Sequence, residues 1–389
     1  MPLFFNNIEL ALYFSLSIFF MFLAYIASAY KSNKLDNITV FLVAIMMVCF
    51  YGFRTHGTPD IKMYLGFFDQ MKSFSDFPWG YGFYIINAII KEINKAHWFY
   101  VFSTSLLFVS LLLIVSFKFL KEEPYKALLM LSFFNGWYIL DLATNTIRQG
   151  LALPFIMLSF YCLCQRKKLM FMVFFAISMA IHWGALVPLS LGVVAYYISK
   201  RRVLLVSLTY LTIFLYVTSF LVNLDIARML VDNPIVNSLQ SVFVGVNLTS
   251  KVYAYLNSDT SGTQFYQIPL LTKLKFTAES FVPLLVNVVF FLTRKKQDPF
   301  FQKNSMYLPI YSFIILLTMY AVSIISMAWF FRNFYWSPIL SMVSVMMIIS
   351  YFKGRMNYKV YVLLCILCIL FVSMLANWTS ELLRFSYPA

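Results

Sequence analysis

Charge is scarce in this chain. Only 12% of its 389 residues are charged against 61% hydrophobic, with a mean hydropathy of +0.79, and that balance excludes a soluble globule in favour of a protein that crosses a membrane many times. Histidine is scarcer still. His56, His97 and His182 are widely spaced, no two stand at i, i+4, and no Asp-x-Asp occurs, so no metal or other cofactor is expected. The five cysteines offer no disulfide framework. Cys365-x-x-Cys368 has metal-like spacing, but among Leu, Ile and Val it reads as packing or lipid-facing surface. The N-terminus lacks a basic n-region and its first apolar run, Ile8 to Tyr30, is too long for the core of a signal peptide, so an uncleaved first helix is expected. No internal repeat or low-complexity tract divides the chain, which reads as a single transmembrane domain over residues 1–389.

The charge that is present is mostly positive, 30 Lys and Arg against 15 Asp and Glu. Such an excess ordinarily suggests nucleic acid or acidic lipid, but its distribution has a simpler cause. The basic residues cluster between apolar runs: Lys31 and Lys34; Lys118, Lys121 and Lys126; Arg166 to Lys168; Lys200 to Arg202; Arg294 to Lys296 with Lys303; Lys353, Arg355 and Lys359. By the positive-inside rule these are cytoplasmic turns, so the chain crosses an even number of times between consecutive clusters. Parity then splits Tyr125 to Cys164 into two helices with an outer turn near Asp141 to Asn145, and breaks Leu169 to Ser199 near His182-Trp183-Gly184, again outside. The expectation is an all-α polytopic membrane protein with about 12 spans and both termini outside, at 8–30, 37–53, 97–117, 124–142, 143–164, 169–182, 184–199, 203–222, 276–293, 304–328, 332–352 and 357–377. Two longer loops fall on the outer face, at about 54–96 and 223–275. The first is rich in glycine and aromatics, and its amphipathic second half, Gly82 to Ile93, suits the membrane interface; the second is more polar. Nucleic-acid binding is unnecessary on this map.

Nearly every other charge falls in a loop, but Arg148 lies within an expected span. A guanidinium keeps its proton, and within a span it costs about 2.5–3.5 kcal/mol, so it calls for a partner, an anionic substrate foremost. Asn145, Arg148 and Ala152 share one face of the fifth span, whose N-terminal end, capped by Thr144 or Asn145, is expected at the outer surface. His182 stands beside the outer start of the seventh span, Arg332 at that of the eleventh, and Arg54 at the outer end of the second. Helix N-termini with fork donors beside them would make an anion site suited to phosphate oxygens. Plainer readings stand beside these: Arg148 pairs with Asp141, Arg54 and Arg332 snorkel to headgroups, His182 bonds a backbone carbonyl at the helix break, and Asp60 and Tyr64, at i, i+4, serve as capping and packing groups. His97-Trp98 reads as an interfacial anchor.

Together the motifs have a counterpart. Arg54-x-x-Gly57-x-x-Asp60-x-x-x-Tyr64-x-x-x-Phe68, the Gly-rich aromatic patch Trp79 to Tyr84, Asn145-x-x-Arg148-Gln149-x-Leu151-Ala152, Ala180-Ile-His182-Trp-Gly-Ala185-Leu and the late Arg332 in an aromatic run resemble the EpsG/Wzy-type polysaccharide polymerases. The chain departs from that pattern at Trp183, where the family tends to a small hydroxyl residue, and in Trp79-Gly-Tyr-Gly-Phe83, which lacks an acidic residue before its Gly-Phe.

The resemblance implies a glycosyltransferase-C-like helical architecture. It also implies an O-antigen-type polymerase working at the periplasmic face of a bacterial cytoplasmic membrane, in the synthesis of lipopolysaccharide or a related surface polysaccharide. The growing glycan on undecaprenyl pyrophosphate would be the donor, a carrier-linked repeat the acceptor, and a chain-length-regulating co-polymerase a partner. In that scheme Arg148, Arg332 and Arg54 take the pyrophosphate, His182 or Asp60 accepts the proton of the attacking hydroxyl, and Tyr64, His56, Asn145, Gln149 and Trp183 contact acceptor or sugar. A flippase for the same lipid-linked sugar and an O-antigen ligase are the alternatives, and the ligase shares the donor chemistry. A flippase would carry charges deeper along its spans and a repeated half, neither of which is evident.

Overall fold

A computed structural model of the protein describes residues 8–221, 270–295, 297–322 and 333–377. All regular structure among the described residues is helical. In chain order the helices are α1 (Ile8–Ala29), α2 (Asn33–Gly52), α3 (Pro59–Gln70), α4 (Tyr81–Ile93), α5 (His97–Phe119), α6 (Lys126–Phe134), α7 (Trp137–Thr144), α8 (Ile147–Cys164), α9 (Lys168–Ile181), α10 (Leu186–Ile198), α11 (Arg202–Leu221), α12 (Leu270–Thr293), α13 (Pro299–Lys303), α14 (Tyr307–Val322), α15 (Pro338–Tyr351) and α16 (Tyr358–Asn377). Short 3-10 turns fall at Phe74–Asp76 and Trp183–Ala185.

Where the structure describes the expected spans they are helical, with 124–142 divided between α6 and α7, but not all of these described helices are long enough to cross by themselves. Five are long and apolar enough, lying in α1, α2, α5, α8 and α11, and the pair α6 and α7 makes a sixth if its 70° bend is read as one broken span. α9 and α10 occupy the stretches expected to cross at 169–182 and 184–199, with 14 and 13 residues. At 1.5 Å per residue each reaches only about 20 Å, short of a hydrocarbon core of about 30 Å. The first of the two longer loops, 54–96, is largely helical, because Pro59 can open α3 as its first residue and the alternating faces of Tyr81 to Ile93 sustain α4. The second lies mostly outside the described residues, and its end is helical, since α12 begins at Leu270 and not at 276.

The described residues gather in two compact units, one of residues 1–193, 297–307 and 342–389 and the other of 194–296 and 308–341. In the first, α8 packs against α5, α7 and α9, while α2 packs against α1, α5 and α6. Its bend between α6 and α7 falls at Asn135-Gly136 and would strand backbone carbonyls in an apolar interior. Tyr13 of α1 and Tyr51 of α2 both donate their hydroxyls to Phe134 O, at 3.2 and 3.3 Å, and Asn135 Nδ2 donates to Leu131 O at 2.9 Å. At the other end of α6, the fully buried Asp36 accepts from the Lys126 and Ala127 amides at 3.2 and 3.0 Å and pairs with Lys126 Nζ at 3.0 Å. In the second unit α11 packs along α12: Arg202 donates to the Phe291 and Arg294 carbonyls that end α12, Thr209 Oγ1 meets the Tyr311 hydroxyl at 2.9 Å, and Asn287 Nδ2 reaches Ser341 O at 3.4 Å.

Candidate active site

The site is built around the gap between α7 and α8. Residues 145 and 146 interrupt what would otherwise be one helix, and three side chains hold the gap open: the Asp141 carboxylate accepts from Asn145 Nδ2 at 3.1 Å and from Thr146 Oγ1 at 3.2 Å. The loop of residues 54–96 closes over the same gap. Thr58 Oγ1 donates to Thr144 O at 2.8 Å, Arg54 Nη2 donates to the same carbonyl at 3.2 Å, and the Asp60 amide donates to Asn145 Oδ1 at 3.0 Å. Arg54 Nη1 also donates to Tyr51 O and, at 3.3 Å, to Ser105 Oγ. Arg54 is therefore a buried brace joining α2, α5 and the gap, not a side chain reaching for headgroups.

Two expectations are corrected here. Neither Thr144 nor Asn145 caps α8: the Thr144 hydroxyl donates to Leu140 O at 2.7 Å, Asn145 is committed to Asp141 and Asp60, and the N-cap position belongs to Thr146, whose side chain makes no cap bond. Asn145 precedes the helix, so it does not share a helical face with Arg148 and Ala152. α8 thus starts without a side-chain cap, with Arg148 at its second residue and buried Gln149 at its third. Gly150 lets α8 lie this close to α7, since a Cβ there would meet the Leu142 carbonyl.

Arg148 leans on Trp79. Its guanidinium carbon is 5.6 Å from the centre of the indole, within reach of a cation–π attraction. The indole is gripped by its neighbours, with ring centroids of Tyr64 and Phe67 at 4.9 Å, Phe77 at 5.1 Å and Phe83 at 5.9 Å. After Trp79 the chain presses on the end of α9. A Cβ at Gly80 would strike the Ala180 carbonyl oxygen, and one at Gly82 would stand 2.9 Å from the Ala180 carbonyl carbon and Cβ. Two residues beyond Ala180, His182 leaves α9 in extended backbone, with φ −146° and ψ 104°. Its ring lies parallel to that of Trp183, 6.5 Å between centroids. Gly184 makes room for the imidazole, because a Cβ there would come within 2.6 Å of it, and α8 packs against this Trp183–Ala185 turn. Arg148, Trp79, Tyr64, Asp60, Asn145, Gln149, His182 and Trp183 therefore belong to one neighbourhood assembled from three separate stretches of chain.

His56 belongs to a side cluster. Its ring stands edge-on to His97 at 5.9 Å, and His97 Nε2 pairs with Asp69 at 2.9 Å. Burial first, and then the neighbouring His97 and Arg54, hold the His56 imidazole below the usual histidine range. His97, expected as an interfacial anchor, thus also fastens α3 to α5. Lys91 completes that fastening, donating to the Phe68, Asp69 and Met71 carbonyls at 2.6, 2.9 and 2.8 Å where α3 ends. Arg332 lies outside the described residues. Trp79 was visible in sequence only as part of an aromatic patch, and its part in seating Arg148 went unseen, because cation–π partners so far apart along the chain leave no periodic signal.

The family model for EpsG matches residues 37–387. The chain belongs to the EpsG family. No curated protein and no solved structure matches it. The stretch matched to EpsG contains the gap, the first outer loop and the His182 turn. Membership points to a membrane protein of the polysaccharide-polymerase type. Among the described residues no three His, Cys, Asp or Glu side chains gather as a metal site requires.

Proposed function

We propose that this protein polymerises lipid-linked oligosaccharide repeats, as a metal-independent glycosyltransferase with a polyprenyl-pyrophosphate-linked donor. The observation that carries the reading, beside family membership, is Arg148 seated on Trp79 of the aromatic loop at a helix start without a side-chain cap, on a helix that packs against the Trp183–Ala185 turn after His182. In the reaction the anomeric carbon–oxygen bond of the growing glycan breaks and its electron pair leaves with the lipid pyrophosphate. Arg148 and the α8 dipole meet that developing charge in a site of low dielectric. Arg332 is assigned the same role, while Arg54, whose Nη atoms both donate to protein acceptors, supports from beneath. A sugar hydroxyl of the carrier-linked repeat forms the new bond and gives its proton to His182 or Asp60. Tyr64, Asn145, Gln149 and Trp183 border the sugars, with His56 further out.

The topology that goes with this reading has twelve crossings when the short α9 and α10 are each counted as one, both termini outside, and the gap facing the periplasm of a bacterial cytoplasmic membrane. A co-polymerase sets chain length. The test is glycan length by gel ladder in polymerase-null cells complemented with wild type, Arg148→Ala, His182→Ala and Arg332→Ala, with membrane abundance checked. The expected result is a full ladder from wild type and a single repeat from well-expressed mutants. A wild type that builds no ladder but transfers glycan to lipid A would make it a ligase, and one that only moves the lipid across the membrane a flippase.

A further inference from the structure

α4 buries Phe83, Asn87 and Ile90, packing on α5 and α9, and turns another stripe outward. Tyr81, Ile85, Ile89 and Ile93 follow one another at i, i+4 and are exposed by 39% at Ile85 up to 69% at Ile93. A helix of 13 residues is about 20 Å long and cannot cross a membrane, yet an unbroken isoleucine stripe facing water is a patch that folded proteins seldom leave bare. What covers it follows from where α4 ends. Asn94 Oδ1 accepts the Ala96 amide at 2.8 Å in a tight connection, and the chain passes directly into α5, a 23-residue helix apolar enough to span. The first turn of α5 exposes Trp98, a residue type that gathers at the membrane–water boundary. The nearby Lys91 ammonium is folded onto the end of α3, away from the stripe, while Glu92 and Lys95 are exposed beside Ile93, where headgroups would solvate them.

We propose that α4 lies in the membrane interface at the start of α5, with Tyr81, Ile85, Ile89 and Ile93 resting on the acyl-chain boundary of that leaflet. A consequence, which rests on the function proposed above, is that Arg148 is held at headgroup depth. Gly80 and Gly82 pin the start of α4 to α9, and Trp79, one residue earlier, carries the guanidinium at the level where a lipid-borne pyrophosphate sits.

Site-directed spin labelling of the full chain in nanodiscs tests the surface without reference to activity. Nitroxides are placed singly at 85, 89 and 93 on a background with the native cysteines replaced. Ile45, exposed within α2, gives the lipid reference, and Met356, fully exposed between α15 and α16, gives the water reference. Oxygen is expected to relax the labels at 85 and 89 several-fold more effectively than a water-soluble nickel chelate, as at 45 and opposite to 356. If one labelled variant fails to fold, the other two positions carry the same reading. Preferential access of the chelate at these positions would overturn the proposal. So would immobilised labels reached by neither reagent, the sign of a second copy or a protein partner on the stripe.

Discussion

Stepwise fluorination of Trp79 separates its cation–π role from its packing role. The Arg148 guanidinium lies 5.6 Å from the indole centre, and Arg148 is half-buried, so the attraction is worth about 1–2 kcal/mol on the scale that runs from exposed to desolvated pairs. At about 1.4 kcal/mol per factor of ten, losing it predicts a fall of roughly 5- to 30-fold in kcat/KM. Trp79→Ala would not isolate this, because it also empties the space between Tyr64, Phe67, Phe77 and Phe83; deleting a fully buried Trp costs about 3–5 kcal/mol of stability, and this half-buried one costs a share of that. Fluorine withdraws charge from the ring face while nearly keeping its shape. The assay is the rate of lengthening of a purified carrier-linked repeat by the protein in nanodiscs, with the thermal midpoint recorded for each variant. The logarithm of the rate is expected to fall with each added fluorine at a constant midpoint. A rate that stays level across the series, while Arg148→Ala abolishes lengthening, would refute the seating of Arg148 on the ring.

Gly150→Ala drives a methyl group into the Leu142 carbonyl, where backbone faces backbone and neither side can yield, so a loss of about 1–3 kcal/mol is expected as a lower thermal midpoint in detergent; an unchanged midpoint would deny the close approach. Asp36→Ala leaves Lys126 as an unpaired buried charge and removes the acceptor of two amides, a loss of about 3–5 kcal/mol. Adding Lys126→Met should recover most of it and leave a deficit of about 1 kcal/mol from the missing cap, which unfolding of the two variants will show or disprove. The His56 pKa is lowered in the folded protein, so the unfolded chain binds the proton more readily and stability rises with pH. It should decline as pH falls below the ordinary value of 6.5, towards the folded value, and level off beneath that. His56→Gln should flatten that acid limb in a pH series of melting curves, and a limb that persists unchanged would assign it to another group.

Much of the architecture was legible because one physical signal dominates it. A long apolar run between basic clusters has few alternatives to a helix, so 8–30 reads as Ile8–Ala29 and 143–164 as Ile147–Cys164 in the structure. The turn expected near Asp141 to Asn145 is the gap on which the site is built, because Asp, Asn and Thr offer the backbone bonds that compete with a helix. Less legible was anything depending on who bonds to whom across the chain. The bend at Asn135-Gly136 is stabilised by tyrosines 83 and 121 residues away, and that separation leaves no trace in periodicity. Arg54 beside a span looks the same in sequence whether it faces a pyrophosphate, a headgroup or three protein acceptors. The lengths of α9 and α10, 14 and 13 residues, were equally illegible, since parity counts charges and says nothing of where a helix begins or ends.

The gap between α7 and α8 also explains why the loop of residues 54–96 belongs to the site and not merely beside it. Ending a helix inside a membrane protein frees carbonyls that water is not there to meet. At Thr144 the missing donors come from Arg54 and Thr58, and at Asn145 the amide of Asp60 completes a side chain already engaged by Asp141. The docked loop therefore reinforces a break that Asp141, Asn145 and Thr146 already make. The same loop then carries α3 and Tyr64 to Trp79, and Trp79 carries Arg148. The loop, the break in the helix and the seat of the arginine are thus joined by one continuous set of contacts. A change as mild as Thr58→Val, two residues from Asp60 and far along the chain from Arg148, removes one of those contacts and is therefore expected to lower the lengthening rate, and an unchanged rate would show that the loop and the guanidinium act independently.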